Sequence, residues 1–393
     1  MVTPGTPEGR RGIRVTAVVS TLVAGLLAGV PTAATGSSRP PLLRLQADPG
    51  SPVSTLELPL GASSWRPSPR GPATTPRLRT TTYSLVGATW RGGGSGADPG
   101  VRVRSRTDGR WGDWRHLRVL TDRPDVGAEG LLGRWGTEPL WVGPADGVQV
   151  RIRHEPRRLR LVLIDPGSAP GDRSASASPA ARPFLGARAA ATGAPRPDLL
   201  GRRVWAADES WRNSEPRYNR RIRQVHVHHT VTANDYRRSD VAGLIRGMYR
   251  YHTASLGWSD LGYNFLVDRF GRSWVGRAGG PARRVRGAHT LGFNNTSTGI
   301  SVIGNFEDAA PTAEVINAIV RLAAWKLDRE GGVPSGTVRV RSQGSDLYPA
   351  GTSPRLPVID GHRDTNQTAC PGQLLYDRLP VIRRRTQRRV DRF

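Results

Sequence analysis

The residues most able to do chemistry are histidines and one cysteine in the second half of the chain. Six of the eight histidines lie between residues 226 and 362, and the single cysteine, Cys370, follows His362 by eight positions in the stretch GHRDTNQTACPG. A thiolate and imidazoles are the ligands that zinc prefers, and a zinc site with an open fourth position is catalytic. A lone histidine on a strand, however, is more often a hydrogen-bonded core residue than a ligand. Residue types alone leave a zinc site and a set of core histidines equally open.

The histidine-rich stretch QVHVHH predicts a buried β-strand. Alternation along a strand places Val225, Val227 and His229 on one face, and His226 and His228 on the other. At least one imidazole near the end of this strand must then be neutralised by packing, a hydrogen bond or a metal ion.

Four blocks occur in order along the chain: HVHHTVT, LGWSDLGYNFLVDRFGRSWVGR, RGAHTLGFNNTSTGISVIGNF and DGHRDTNQTACPG. In order and spacing they resemble the blocks of peptidoglycan recognition proteins and the related type 2 N-acetylmuramoyl-L-alanine amidases. The resemblance covers about Arg203 to Arg384. It implies a mixed, mainly central β-sheet flanked by helices. It also implies hydrolysis of the amide between the muramyl lactyl group and L-alanine of peptidoglycan.

The same resemblance implies a zinc ion, Zn²⁺, held by His228, His362 and Cys370. Bound zinc lowers the pKa of a water ligand toward ~7 and polarises a carbonyl. Tyr263, from the GYNF stretch, is implied to reach the metal-bound water or the carbonyl oxygen. Thr368, two positions before the cysteine, is implied to help bind the reacting carbonyl, although it lacks the charge of the lysine that phage-type members carry there.

Further residues of these blocks are expected to contact substrate: His289, His229, Arg277 and Asn294. His229 is also expected to support the metal ligands through packing or a hydrogen bond. His226 and His252 are expected to be structural. The additional arginines in RAGGPARRVRGAH could face an acidic stem peptide or solvent, so the preferred stem-peptide type stays open.

The elements that must position these residues fall into two differently patterned regions. The stretches TTYSLVGATW, VRVRSRT, VQVRIRH and RLRLVLID predict strands, with a turn at Asp108-Gly109, and favour a small all-β sandwich. The C-terminal region has an α/β pattern, with helices predicted to start at Ser239 and Thr312. The predicted divisions are a signal peptide at 1–34, a disordered tether at 35–76, a β-sandwich-like accessory domain at 77–166, a Pro/Ala/Ser-rich linker at 167–200, the zinc amidase domain at 201–385 and a basic tail at 386–393.

Charge and the N-terminus indicate an exported protein of the cell envelope. Arginines precede the apolar run Val15 to Val30, which at 16 residues is short for a bilayer span of roughly 20. The formal charge of +26 favours anionic surroundings. Because Lys326 is the only lysine, this charge looks as much like codon bias as ligand selection. Peptidoglycan and anionic wall polymers are the expected partners of a monomer. Nucleic acid is not expected, and membrane contact is expected only through the signal peptide.

Three functions compete at this stage. The first is an exported zinc amidase, and the second is a non-catalytic peptidoglycan-binding recognition module. The third is an envelope protein whose zinc is only structural, which would require a fourth protein ligand. The β-sandwich-like domain is expected to retain the enzyme on the wall without supplying catalytic groups. The alternative is a domain that packs over the groove as a regulator.

Overall fold

Two β-sheets contain nearly all strands of the computed structural model, which describes residues 41–66, 71–92, 98–125, 127, 133–177 and 193–393. The N-terminal sheet has eleven strands in the order β2-β3-β11-β5-β10-β6-β7, with β1 and β9 on β5, β4 on β10 and β8 on β6. These strands are β1 Leu42–Leu43, β2 Gln46–Ala47, β3 Ser54–Pro59, β4 Ala73–Thr74, β5 Leu78–Arg91, β6 Arg102–Thr107, β7 Arg110–Trp111, β8 Arg115–His116, β9 Arg134–Gly136, β10 Leu140–Ile152 and β11 Arg160–Asp165.

The C-terminal sheet is mixed and has six strands in the order β12-β15-β14-β16-β13-β19. Its pairs are parallel except for β14 with β15. The strands of this half, including a separate pair β17 and β18, are β12 Leu199–Leu200, β13 Gln224–His229, β14 Phe265–Val267, β15 Ser273–Val275, β16 Ser297–Val302, β17 Thr337–Arg339, β18 Arg355–Pro357 and β19 Ile359–Gly361. The helices are α1 Gly171–Ala177, α2 Val241–Arg250, α3 Ala313–Asp328, α4 Gln373–Tyr376 and α5 Leu379–Val390. The predicted fold class, an α/β domain with a mixed sheet preceded by an all-β domain, is confirmed.

Alternation on β13 follows the prediction. Val225 and Val227 pack in the core formed with α3 and α5, where Ile319 and Ile382 are also buried. The side chains of His226 and His228 therefore lie on the opposite face of the sheet, away from that core. Thr312 caps α3 as predicted, with its hydroxyl accepting the N–H of Val315. Ser239 instead lies inside a 3₁₀ turn, Arg238–Asp240, and α2 begins only at Val241.

The central strands β5 and β11 of the N-terminal sheet bury both of their faces. On β5, Val86, Ala88 and Trp90 point into the core of the β-domain, whereas Leu85 points into a second core. That second core also contains Leu244 of α2. The two domains therefore share one apolar interior, and α2 packs within it.

Tyr251, just after α2, lies at the centre of this shared core. Its hydroxyl donates to the carbonyl of Ala88 at 2.9 Å. Two glycines make room for it: a Cβ on Gly87 would lie 2.7 Å from the ring, and a Cβ on Gly136 would lie 2.7 Å from the hydroxyl. At the rim, Arg250 forms an ion pair with Asp48 at 2.6 Å. A large apolar interface of this kind holds two domains in one arrangement.

We expect Tyr251→Ala to lower the free energy of unfolding by about 3–5 kcal/mol, because a buried aromatic ring leaves a cavity when it is removed. Both domains should lose stability together, in a single calorimetric transition. Tyr218→Ala is the control, since Tyr218 is 38% exposed, and should change stability by less than about 1 kcal/mol. Two separate transitions, of which only one moves, would contradict the shared core.

Three predicted segments differ in the structure. The stretch predicted as a tether, 35–76, contains β1 to β4, and β3 pairs with β11 along its whole length. In the predicted linker, 167–200, the segment Gly171–Ala177 is helical because the buried guanidinium of Arg246 binds the carbonyls of Pro166 and Gly167 and the carboxylate of Asp172. The predicted tail, 386–393, continues α5 to Val390. The predicted signal peptide and residues 178–192 lie outside the described residues.

Candidate metal centre

Two neighbouring parallel strands bring the predicted histidine ligands together. His228 lies near the end of β13, and His362 directly follows β19. Because Val227 is opposite Gly361 in this parallel pair, the carboxyl ends of both strands meet at one edge of the sheet. The two imidazole centroids are 4.7 Å apart, and both side chains are buried.

Cys370 reaches the same edge from the loop that follows His362. Its Sγ lies 3.7 Å from Nδ1 of His228 and accepts the backbone N–H of His229 at 3.4 Å. Burial raises the pKa of the Cys370 thiol well above its usual range. A thiolate at this position therefore needs a cation beside it.

A fourth donor comes from the β-domain. Asp122, in the connection between β8 and β9, places Oδ1 2.9 Å from Nδ1 of His228 and 2.8 Å from Nδ1 of His362. The donor atoms of these three residues and Cys370 all lie within 4.8 Å of one another, and all four side chains are buried. Asp122 was not predicted from the sequence. The blocks that imply the other ligands lie in the C-terminal domain, and nothing in the stretch LTDRPD marks this aspartate as a ligand.

The donor set fits a zinc ion. One thiol, two imidazoles and a carboxylate are all zinc ligands. Oδ1 of Asp122 and Nδ1 of His362 are buried, and neither has a partner in hydrogen-bond geometry among the described residues, although they are 2.8 Å apart. Burial lowers the pKa of His228 to about 4, which keeps its imidazole neutral. Nδ1 of His226 and Oδ1 of Asp360 approach each other in the same way, so what distinguishes this site is the thiol and the second imidazole beside the carboxylate.

The two predicted catalytic side chains also meet the β-domain. The hydroxyl of Tyr263 donates to Oδ2 of Asp122 at 2.5 Å. Thr368 Oγ1 accepts a hydrogen bond from the hydroxyl of Thr121 at 2.9 Å, and it also accepts the N–H of Cys370. Both residues therefore lie beside the metal ligands, and each is bound to a residue of the segment that carries Asp122.

His289, which is predicted to contact substrate, is buried and contacts His228 in the structure. Its Nδ1 lies 3.0 Å from Nε2 of His228. If His228 binds metal through Nδ1, its Nε2 carries the proton and donates to His289. Burial lowers the pKa of His289 well below its usual range, so it stays a neutral acceptor. Its ring is enclosed between Gly287 and Gly299, where a Cβ would come within 2.3 and 2.6 Å of it.

The other three predicted substrate-binding residues are also buried. Nδ1 of His229 accepts the N–H of Phe306, so its side chain supports the fold behind the ligands. Arg277 is 5% exposed and donates to the carbonyl of Leu261. Asn294 accepts the N–H of His289 and donates to the carbonyl of Arg123, so it contacts the β-domain.

His226 and His252, predicted to be structural, lie outside the donor set. Nδ1 of His226 lies 2.5 Å from Oδ1 of Asp360. Nδ1 of His252 accepts the N–H of Gly262 at 3.2 Å, and its ring packs on Trp258. Each imidazole is held by a partner of the protein's own.

Buried His252 should make the fold acid-sensitive. Burial lowers its pKa from 6.5 to about 3, so below pH 6.5 the unfolded chain takes up a proton that the folded chain refuses, and stability falls as the pH drops toward 3. At pH 4.5 this amounts to about 3 kcal/mol relative to pH 7. Urea unfolding at pH 7 and pH 4.5 measures how much the free energy of unfolding falls between the two pH values. This fall should be about 3 kcal/mol smaller in His252→Gln than in the unchanged protein. An equal loss in both proteins would exclude His252 as its source.

Comparisons with known proteins identify both domains. Residues 218–373 match the family described as N-acetylmuramoyl-L-alanine amidase. Residues 44–184 match the family described as Rv3811 N-terminal galactose-binding domain-like. No helix among the described residues combines the length and apolar character needed to cross a membrane.

Individual relatives match the C-terminal domain. Peptidoglycan-recognition protein SC2 of Drosophila simulans is 32% identical over 155 residues, which cover 39% of this chain and 70% of that protein. Peptidoglycan-recognition protein LE of Drosophila melanogaster is 35% identical over 158 residues, or 40% of this chain and 39% of that protein. The N-acetylmuramoyl-L-alanine amidase of Homo sapiens is 31% identical over 159 residues, covering 39% of this chain.

The chain therefore belongs to the family of peptidoglycan-recognition proteins and N-acetylmuramoyl-L-alanine amidases, as the four sequence blocks predicted. It spans only 39% of the length of the LE protein and 23% of that of the human amidase. Among solved structures, Drosophila PGRP-LB is 25% identical, with a TM-score of 0.37, and the match covers 46% of this chain and 92% of that one.

Proposed function

We propose that the C-terminal domain is an exported, zinc-dependent N-acetylmuramoyl-L-alanine amidase that cuts the bond between the muramyl lactyl group and L-alanine of peptidoglycan. The observation that carries the proposal is the meeting of Cys370, His228 and His362 with the hydroxyl of Tyr263 at one buried edge of the sheet. A recognition module that only binds would need neither a thiol nor a buried hydroxyl at this point.

Each residue has a definite task in this proposal. His228, His362 and Cys370 would hold zinc, which supplies an activated water and polarises the amide carbonyl. The Tyr263 hydroxyl lies where it can donate to an oxygen at the reacting carbon, and burial raises its pKa well above the usual range, so it keeps its proton for that donation. Thr368 offers a second hydroxyl on the other side of the ligands.

The test is digestion of purified peptidoglycan with and without a chelator, followed by mass spectrometry of the released peptides. Free stem peptides that begin with L-alanine, formed only in the metal-loaded protein, are the expected product. Peptides that still carry the sugar, or cleavage that survives metal removal, would exclude this reaction. Both the unchanged full chain and its Asp122→Ala variant belong in the assay, since Asp122 lies in the candidate centre.

One observation favours a second candidate. A structural zinc site requires four protein ligands, and Asp122 provides the fourth that sequence reasoning did not find. In a structural site Asp122 would stay bound to zinc at all times, whereas in an amidase Asp122 would have to leave so that substrate can reach the zinc.

A further inference from the structure

We propose that the β-domain keeps this site latent: residues 118–125, here called the plug segment, fill the place of the substrate, and Asp122 takes the fourth zinc position. Peptidoglycan is then cut only when the plug segment has moved out. This inference rests on the proposed amidase function. It also replaces the expectation that the β-domain only tethers the enzyme, since that domain supplies groups to the site.

The first argument is that the plug segment occupies the groups that an amide would need. Oδ1 of Asp122 faces His228 and His362, while its Oδ2 accepts a hydrogen bond from the Tyr263 hydroxyl. The hydroxyl of the neighbouring Thr121 donates a hydrogen bond to the hydroxyl of Thr368. One carboxylate and one hydroxyl thus bind where a metal-bound carbonyl and its neighbours would bind, which is how a substrate mimic engages a site.

The second argument is that the plug segment also contacts the amidase domain beyond the candidate ligands. Asp125 accepts the N–H of Gly292 at 2.8 Å and the side-chain amide of Asn294 at 3.1 Å. Arg123 forms an ion pair with Asp346 at 3.3 Å, with both side chains partly exposed. The plug segment is therefore bound over its length, and Asp122 is not an isolated contact.

The third argument concerns how the plug segment is held from its own side. Leu120 is 3% exposed in the shared core, and its N–H donates to the carbonyl of Gly136 in β9. Glu138 follows β9 and is also buried, and burial together with the charge of Asp122 raises its pKa well above its usual range. The β-domain thus directs two carboxyl side chains into the interior near the candidate centre, which a simple tether has no need to do.

Release must be local to the plug segment. The contacts of Thr121, Asp122 and Asp125 with the amidase domain are polar, so water and substrate can replace them. The interface around Tyr251 is apolar and shared by both domains, and separating it would expose that whole core. A cavity of about 140 Å³ behind the plug segment offers room for such a shift. Its walls include Leu120, Arg123, Pro124, Trp135, Leu256 and Trp258.

The expected effect of Asp122→Ala is a gain of function. If the plug segment leaves the site open about 1% of the time, releasing it raises the rate of hydrolysis by about 10²-fold. The variant keeps the three other ligands, so it should remain metal-loaded. The matched control is Asp146→Ala, a carboxylate of the same domain that pairs with Arg106. Asp122→Asn, which preserves volume, replaces Asp122→Ala if that protein unfolds.

The experiment uses the full chain and two readouts. Hydrolysis of a soluble N-acetylmuramyl peptide is measured with zinc bound. Binding of the same peptide to the metal-free proteins is measured by calorimetry, so that the state of the groove is read without catalysis. We expect Asp122→Ala to bind at least 10-fold more tightly than the unchanged protein and the Asp146→Ala control.

The outcomes separate the plug from the amidase. Tighter binding with no hydrolysis in any protein would support the plug segment and overturn the amidase. Equal binding and equal hydrolysis in the unchanged protein and Asp122→Ala would overturn the plug segment and leave the amidase standing. Loss of zinc from Asp122→Ala, with neither binding nor hydrolysis in any of the proteins, would overturn both and indicate a structural site with four protein ligands.

Discussion

Tyr263→Phe, introduced into the Asp122→Ala protein, is expected to lower amide hydrolysis by about 10²-fold or more without changing the zinc content. The ring still packs beside His228, at 5.6 Å between centroids, so only the hydroxyl is lost. The Asp122→Ala background matters because the same hydroxyl also holds Asp122 in the unchanged protein. Rates on a soluble N-acetylmuramyl peptide, with zinc measured on the same samples, make the test.

The control for this change is Tyr249→Phe, which removes another buried hydroxyl, one that donates to the carbonyl of Asp208. It should leave the rate within about twofold, because no atom of this pair belongs to the candidate centre. In the unchanged protein, Tyr263→Phe should cost less than in Asp122→Ala, since it also loosens the plug segment. Equal rates for Tyr263 and Phe in the Asp122→Ala background would remove this residue from the mechanism.

Cys370→Ser is expected to abolish stable zinc binding and with it all hydrolysis. Thiolate is the softest of the four donors and the one that most favours zinc over harder cations, while a serine hydroxyl stays protonated and binds weakly. Elemental analysis of the full chain should give about one zinc per chain before the change and little after it. Active unchanged protein that contains no zinc would contradict the assignment.

Thr365→Ser is the matched control for the cysteine change. Thr365 is buried next to the ligands and donates to the carbonyl of His362, a bond that serine can keep. Zinc content should therefore stay near one per chain in this variant. If it falls as far as in Cys370→Ser, packing around the loop would be the cause rather than the loss of a ligand.

The proximity of His228, His362 and Cys370 could be expected from the sequence, because the ordered blocks that contain them resemble those of a known family, whereas their binding of zinc stays a prediction. His228 lies on a strand in which apolar and histidine residues alternate clearly, and His362 and Cys370 lie close together in the sequence. Asp122 could not be predicted in the same way, because it lies more than one hundred positions before His228 in an irregular connection between two short strands. Only the packing of the two domains brings it to the site.

The packing between the two domains could not be predicted for a related reason. The helical periodicity of α2 predicts packing within the C-terminal domain, yet Val241 and Leu244 belong to a core shared with Leu85 and Ile164 of the β-domain. Likewise, the composition of the segment after residue 166 indicates a linker, but the buried Arg246 recruits its carbonyl groups. The sequence of an apolar helix face predicts that the face is buried but not which element packs against it. Every residue has a backbone carbonyl, so the sequence does not show which carbonyls a buried arginine will bind.

This shared core also limits how the C-terminal domain can be studied. A fragment cut near residue 200 would expose the side of α2 that carries Gly247, which lies against Leu85 and Ile164 of the β-domain. Point variants in the full chain are therefore a sounder way to separate the two domains' contributions than truncation.

The position of the plug segment in the chain sets an order of events during synthesis. Chains emerge from the N-terminus, and domains generally fold as units in that order. The strands that carry Asp122 are complete at Asp165, whereas His362 and Cys370 are made last. The proposed inhibitory segment is therefore synthesised before the residues of the site that it would close.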